Sequence, residues 1–145
     1  MNKLNSTKKK RQGIATTELA VCLPILILLT LGILETCTVI FLKESITIAA
    51  YEGARVGIRK QGTNAMVAQT IKEFLDARQI SYESDFLRIS DPGFDHADEL
   101  EHVTVRLKVP CQGNTYTGWI FSSRAVSASV TMRKEFSNLL DSDGN

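Results

Sequence analysis

Hydrophobic positions are concentrated in one N-terminal stretch of the chain. Residues 19–34 contain no charged side chain, and a second apolar run follows Glu35 and ends at Leu42. As a helix, the segment 19–42 is about 36 Å long, enough to cross the hydrocarbon core of a bilayer, about 30 Å thick, with some tilt. We therefore predict a transmembrane span at residues 19–42. Pro24 is tolerated there, with a kink, because neighbouring groups satisfy the carbonyl that loses its partner.

The residues that follow the span keep a helical pattern. Their apolar side chains recur at steps of three and four, which is the period of an α-helix. Ala49, Gly53 and Gly57 form one ridge of small side chains on this helix. Another element can approach the backbone closely along that ridge.

The end of this first helix is also marked in the sequence. Arg55 lies three residues after Glu52, so the two side chains can pair on the helix surface. Gly62 is the terminator expected after a last turn rich in basic residues. We predict one long helix over residues 14–61.

The remaining residues, 62–140, have the pattern of a small folded domain outside the membrane. Thr63 or Asn64 can cap a second helix that extends through Arg78. Its predicted core face consists of four apolar residues: Val67, Ile71, Phe74 and Leu75.

Beyond residue 79 the period changes from that of a helix to that of a strand. Alternating apolar and polar residues predict strands at 86–89, 103–109 and 125–136. An antiparallel meander that packs its apolar face on the helices gives an α+β fold. The tail 141–145 is small and polar, and we expect it to be flexible.

The charge is distributed unevenly. Residues 1–13 carry five of the 17 basic residues and no acid, so their removal would change the net charge from +1 to −4. Basic residues are retained on the cytoplasmic side of a membrane, which predicts a cytoplasmic N-terminus and an external C-terminal domain. A short basic segment of this kind is not the basic face of a nucleic-acid binder, so no nucleic-acid partner is predicted.

The cysteines and the acidic loop give no sign of a metal or catalytic site. Cys22 and Cys37 are predicted to be buried free thiols in the helix, and Cys111 is predicted to be buried or paired between chains. Their spacing fits neither a disulfide framework nor a zinc site. The histidines and acids of residues 95–102 lack a ligand spacing, and no catalytic motif is present. We predict no cofactor, no metal and no enzymatic activity.

Residues 112–121 are rich in aromatic side chains that lie between two predicted strands. Two roles remain open for them: they close the edge of the core, or they contact a partner. The residues concerned are Tyr116, Trp119, Ile120 and Phe121.

An acid, Glu18, lies at the start of the apolar run, five residues after Gly13 and behind the basic cluster. This arrangement resembles the prepilin processing motif. The resemblance implies cleavage after Gly13 by a membrane-embedded aspartic prepilin peptidase on the cytoplasmic side, which removes residues 1–13. Cleavage would free the α-amino group of Ile14, and Glu18, one turn away, could offset that charge in a medium of low dielectric constant.

Further ordered elements extend this resemblance. Glu18, Leu23-Pro24, residues 32–35 (GILE) and residues 49–55 (AAYEGAR) resemble the pattern of TadE-like pilus assembly proteins, over about residues 12–58. Two positions differ from the usual pattern: Leu19 stands where an aromatic residue is common, and Tyr51 where Arg or Asn is common.

The resemblance implies a minor pilin or pseudopilin of a tight-adherence (Flp) pilus in the bacterial inner membrane. Its expected partners are a prepilin peptidase, pilin-like subunits, the assembly machinery and the lipid bilayer. Processing is expected at Gly13, Ile14 and Glu18. Helix packing and assembly are expected to involve seven residues: Glu18, Pro24, Glu35, Ala49, Gly53, Arg55 and Gly57.

Two questions stay open at this point. Glu35 lies about 25 Å beyond Glu18 along the helix, where it could reach the outer headgroups or contact another subunit. The chain could also be an uncleaved, singly spanning anchor that displays a binding module to an envelope or secretion complex. A membrane-tethered enzyme would require the acidic loop to bind a metal.

Overall fold

The computed structural model describes residues 5–116, 118, 120–121 and 123–135, with side chains from residue 13 onward. The elements in chain order are three helices and three strands: α1 (Asn5–Gly57), α2 (Asn64–Ala77), β1 (Leu87–Ile89), α3 (Gly93–His96), β2 (His102–Pro110) and β3 (Ala125–Arg133). This confirms the predicted α+β fold class. Trp119, Phe136 and the tail 141–145 lie outside the described residues.

α1 is one continuous helix that includes Pro24. From Gly13 to Gly57 it is long and apolar enough to cross a membrane, judged by length and composition. It begins at Asn5, within the predicted leader, and ends at Gly57 and not at residue 61. The turn that follows places Gln61 in the left-handed region (φ 62°), where the helical path cannot continue.

The sheet is an antiparallel meander in the order β1-β2-β3, as the alternating pattern predicted. In β2 the odd-numbered residues from Val103 to Val109 are buried, and the even-numbered residues from His102 to Lys108 are at least partly exposed. Val105 pairs with Val130 and Leu107 with Ala128. Cross-strand pairs of this kind keep one apolar face directed at the core.

The core is built around the C-terminal part of α1, which contacts α2, β2 and β3. Its buried residues begin at Leu42 and continue through Ile46 and Ala50 to Ala54. Each fully buried aliphatic side chain of leucine size stabilises the fold by about 1.5–3 kcal/mol. The domain therefore includes the upper part of the long helix.

α2 follows the prediction closely. Thr63 is its N-cap, and the Thr63 side chain accepts a hydrogen bond from the Met66 backbone N–H. Val67, Ile71 and Leu75 are buried against α1, and Phe74 packs at the margin of the core. The apolar stripe of α2 therefore faces the core, as the helical period predicted.

Candidate processing and helix-packing sites

The predicted processing segment lies on an exposed part of α1. Gly13, Ile14 and Glu18 are all exposed in the part of the chain that the structure describes. The Thr17 hydroxyl donates a hydrogen bond to the Ile14 carbonyl at 2.7 Å. Ile14 and Glu18 are one helical turn apart, so a charge on either is within reach of the other.

Gly13 has open space where a side chain would be. Apart from the helix's own backbone, a Cβ atom built on Gly13 would meet none of the described atoms within 4 Å, and the same is true of Gly32 on the same helix. Glycine in a helix interior destabilises the helix by about 0.5–1 kcal/mol relative to alanine. Packing within the chain therefore gives no reason for a glycine at residue 13.

Residues 19–34 form the first part of the predicted span on α1. Leu23, Ile25 and the other large apolar residues there are exposed in the isolated chain. Pro24 lies among them, inside the helix. An exposed apolar surface of this length is unfavourable in water, so it indicates that α1 is surrounded by a membrane or by other helices.

Cys22 and Cys37 correct one expectation. Both were predicted to be buried in the helix, but both are exposed on its surface. The reason is that a single helix has no neighbour within the chain along most of this length. Cys111, in contrast, is buried, which agrees with the first of its two predicted alternatives.

Glu35 occupies a different environment from the one predicted. Its side chain is 0% exposed and faces the chain's own domain, whereas the sequence suggested lipid headgroups or a neighbouring subunit. Burial raises the pKa of the Cys111 thiol above its ordinary value of 9.0; the Arg124 guanidinium opposes this rise, and the Glu35 carboxylate adds to it. Glu35 and Cys111 are therefore close enough to interact electrostatically. A role for Glu35 in assembly stays a prediction.

The ridge of small residues on α1 is covered by the chain's own domain. A Cβ atom on Gly53 would lie 2.5 Å from the Ile71 side chain, and one on Gly57 would lie 2.7 Å from the Phe94 ring. Ala49 is fully buried in the same cluster. The element that approaches the helix here is α2, together with Phe94 of α3.

Arg55 lies outside this ridge, on the surface. Its guanidinium is 3.9 Å from the Glu52 carboxylate, as the spacing of three residues predicted. Both side chains are substantially exposed, so the pair stabilises the helix by only a few tenths of a kcal/mol. The arginine remains accessible to a partner.

Two acidic side chains in the segment after β1 accept hydrogen bonds from backbone N–H groups. The Asp95 carboxylate accepts the Asn64 N–H at 3.1 Å, and the Glu101 carboxylate accepts the Asp98 N–H at 3.0 Å. Within the described part of the chain, no three metal-ligating side chains converge. Asp95 thereby links α3 to the start of α2, and Glu101 holds a local turn.

A buried lysine was not foreseen. Lys134 is fully buried, and its ammonium donates a hydrogen bond to the Phe94 carbonyl. Burial lowers the pKa of Lys134, and the nearby Asp95 carboxylate partly opposes that change. A signal was present in the sequence, because residue 134 continues the even-numbered positions of β3 that face the core.

Comparison with known protein families finds a match to part of the chain. The family model for TadE-like proteins matches residues 13–55. No curated protein and no solved structure matches the chain. The matched segment begins at Gly13 and ends at Arg55, and it contains the exposed apolar part of α1 together with most of the small-residue ridge. The TadE-like family pattern predicted from the ordered motifs is therefore confirmed for residues 13–55.

Proposed function

We propose that this chain is a TadE-like minor pilin or pseudopilin that helps to assemble a tight-adherence pilus. The family match over residues 13–55 supports a role in pilus assembly, and the long apolar helix supports a singly spanning membrane protein. The role is structural and not enzymatic. Its partners are a prepilin peptidase, other pilin-like subunits and the assembly machinery of the pilus.

The observation that carries the proposal is the position of Gly13, which begins the family match and lies five residues before Glu18. None of the described neighbouring atoms requires a glycine there, although a glycine weakens the helix by up to about 1 kcal/mol. A peptidase that binds its substrate with an extended backbone would explain the glycine, since glycine adopts such a conformation readily. Cleavage after Gly13 would leave Ile14 as the first residue of the mature helix.

Glu18 supplies the second part of the mechanism. The new amine of Ile14 would lie about 6 Å along the helix axis from Glu18. In the membrane an unpaired charge is costly, so an amine and a carboxylate one turn apart, in one chain or in neighbouring chains, stabilise each other. The carboxylate then favours helix-to-helix assembly only after processing has freed the amine.

The proposed orientation follows from the basic leader. Lys8–Arg11 precede the apolar part of α1, and basic residues remain on the cytoplasmic side. The external domain then faces the periplasm or the exterior, and the processing site lies at the cytoplasmic face of the inner membrane.

The mass of the intact chain tests the proposal. We expect the protein extracted from membranes of peptidase-competent cells to lack residues 1–13. Gly13→Ala, or loss of the peptidase, should restore the full-length mass. Gly32→Ala is the matched control, because Gly32 lies on the same helix with equally open surroundings and should leave processing unchanged.

A full-length mass for the natural protein in its own host would contradict the proposal. That result would favour the other candidate, an uncleaved anchor that displays its domain to an envelope complex. If Gly32→Ala blocked cleavage as strongly as Gly13→Ala, helix stability and not recognition of residue 13 would control processing.

A further inference from the structure

The external domain covers α1 from Glu35 onward, which is nearer to the N-terminus than the apolar pattern indicated. Glu35, Leu42 and Ile46 are buried along one face of α1, at spacings that bring them to the same side of a helix. Below Glu35, the large apolar side chains are exposed. The upper part of the predicted span, residues 35–42, is therefore partly covered by protein.

This contact changes where the membrane can end. Residues 14–34 form about 31 Å of helix, which equals the thickness of the hydrocarbon core. A span at 19–42 would instead place Glu35 and the segment packed on it inside the hydrocarbon. Irregular backbone exposed to lipid at that depth is strongly unfavourable. Residues 35–42 therefore fit the outer end of the span, where Glu35 and Leu42 are covered by the domain while Ile40 and Phe41, 60% and 66% exposed, can still face lipid.

The start of the loop between β2 and β3 lies beside this part of α1. We call the described residues of that loop, 111–116, 118, 120–121 and 123–124, the β2–β3 loop. Cys111 at its start lies within electrostatic reach of Glu35. Gly113 and Asn114 line a cleft of about 240 Å³ together with Phe41 and other residues of α1.

The start and the end of this loop are held by hydrogen bonds. The Asn114 side chain accepts the Ser81 N–H and donates to the Ser81 carbonyl, both at 2.7 Å. The Cys111 N–H donates to the Arg124 carbonyl at 2.8 Å, which closes the base of the loop. The level of the loop along α1 is therefore set by the fold.

The outward side chains of the loop suit a lipid interface. Tyr116 is 84% exposed and Ile120 is 52% exposed. The Arg124 guanidinium lies 5.6 Å from the centre of the Phe121 ring and remains accessible. Tyrosine is enriched at membrane interfaces, where its ring is buried and its hydroxyl is hydrated, and an accessible arginine can bind lipid phosphates.

We propose that the β2–β3 loop lies in the outer interface of the bilayer and contacts lipid headgroups through Tyr116, Ile120 and Arg124. The occupant of this surface is lipid, because Gly113 and Asn114 lie beside Phe41, which is 66% exposed and belongs to the exposed apolar face of α1. The inference rests on the membrane span of the proposed function. It adds a second membrane contact that would fix the tilt and height of the domain.

Fluorescence quenching in liposomes tests this inference. The full chain, with Cys22→Ala and Cys37→Ala, would be reconstituted in phosphatidylcholine and phosphatidylglycerol vesicles. An environment-sensitive dye would be attached to a cysteine at one of three positions: Tyr116→Cys, Ile120→Cys or Met66→Cys. Met66 is the matched control, because it is 51% exposed but lies on α2 near the far end of the domain. The parent chain, which carries only Cys22→Ala and Cys37→Ala, is labelled in the same way. Its dye signal measures any reaction at the buried Cys111 and is subtracted.

We expect dyes at residues 116 and 120 to be quenched by nitroxide lipids with a shallow label and to be several-fold less quenched by iodide than the dye at residue 66. Equal iodide quenching at all three positions, in a chain that resists alkaline extraction, would overturn the loop contact and leave the span intact. Extraction of the chain by alkali would overturn the span itself. A third outcome would also overturn the proposal. If the dyes were protected from iodide only at a high protein-to-lipid ratio, and nitroxide lipids did not quench them, the surface would contact another subunit and not lipid.

Discussion

Glycines on α1 are of two kinds, which differ in their surroundings. Gly13 and Gly32 have no atom near the position of a Cβ, whereas Gly53 and Gly57 are in close contact with Ile71 and Phe94. A glycine in close contact is explained by packing, and one in open space is not. The sequence alone could not separate the two kinds, because the contacting residues are distant in the chain.

The first prediction concerns Gly57. We expect Gly57→Ala to lower the free energy of unfolding by about 1–3 kcal/mol, because the new Cβ would overpack the site. The Phe94 ring lies 2.7 Å from that position and is itself fully buried, so it has little space to move. Urea unfolding of the detergent-solubilised chain would measure the change.

Gly32→Ala is the control for that measurement. It should leave stability unchanged or raise it by up to about 1 kcal/mol, because alanine favours the helix. Equal destabilisation by the two substitutions would contradict the packing explanation.

The second prediction concerns Glu18. We expect Glu18→Ala to leave cleavage after Gly13 intact and to reduce pilus assembly, because the carboxylate acts on the amine that cleavage frees. The mass of the mature chain and the amount of assembled pilus would be measured together. Glu44→Ala is the control, since Glu44 is an exposed acid on the same helix above the span. Normal assembly of the Glu18 variant would count against the pairing mechanism.

Among the separate elements, α2 shows how a local signal places a helix. Thr63 lies just before the first apolar residues, and its hydroxyl accepts the Met66 N–H at 3.2 Å. Both ends of α2 agree with the prediction to within about one residue, because capping and periodicity are properties of neighbouring residues.

The third prediction tests this cap. We expect Thr63→Ala to lower the free energy of unfolding by about 1 kcal/mol, because one N–H at the helix start loses its acceptor. Thr70→Ala serves as the control. The Thr70 hydroxyl donates to a carbonyl within the same helix, and alanine is the better helix former there. A larger loss for the Thr70 variant than for the Thr63 variant would contradict the capping role.

α3 is the element that the sequence did not reveal. It comprises only Gly93–His96, which is too short for a helical period to be visible. Asn64 orients it, since its side chain accepts the Phe94 N–H at 2.8 Å. A hydrogen bond between residues thirty positions apart leaves no local pattern, so Phe94 was not recognised as a core residue.

For the molecule as a whole, the long helix is divided between two environments. All the residues of the buried core cluster lie at Leu42 or beyond, and the apolar residues between 14 and 34 are exposed. The upper part of α1 is therefore a structural element of the domain.

The fourth prediction follows from this division. We expect the fragment 35–145 to unfold cooperatively in water, because it keeps every residue of the core cluster. The fragment 58–145 should not, because it lacks Ile46, Ala49 and Ala54, which fill the centre of the core. Thermal unfolding followed by circular dichroism would compare them. Cooperative unfolding of the shorter fragment at the same temperature would contradict the assignment of α1 to the core.

Short-range patterns were sufficient for the apolar helix, the capped α2, the three strands and the family motif from Gly13 to Arg55. Each of these depends on residues that are close in the chain, through periodicity, capping or fixed spacing. The burial of Glu35, the contacts of Gly53 and Gly57, and the buried Lys134 depend on which faces of distant elements meet. That choice is made by the packing of the whole core, because only a complete set of contacts excludes water from all of these groups at once.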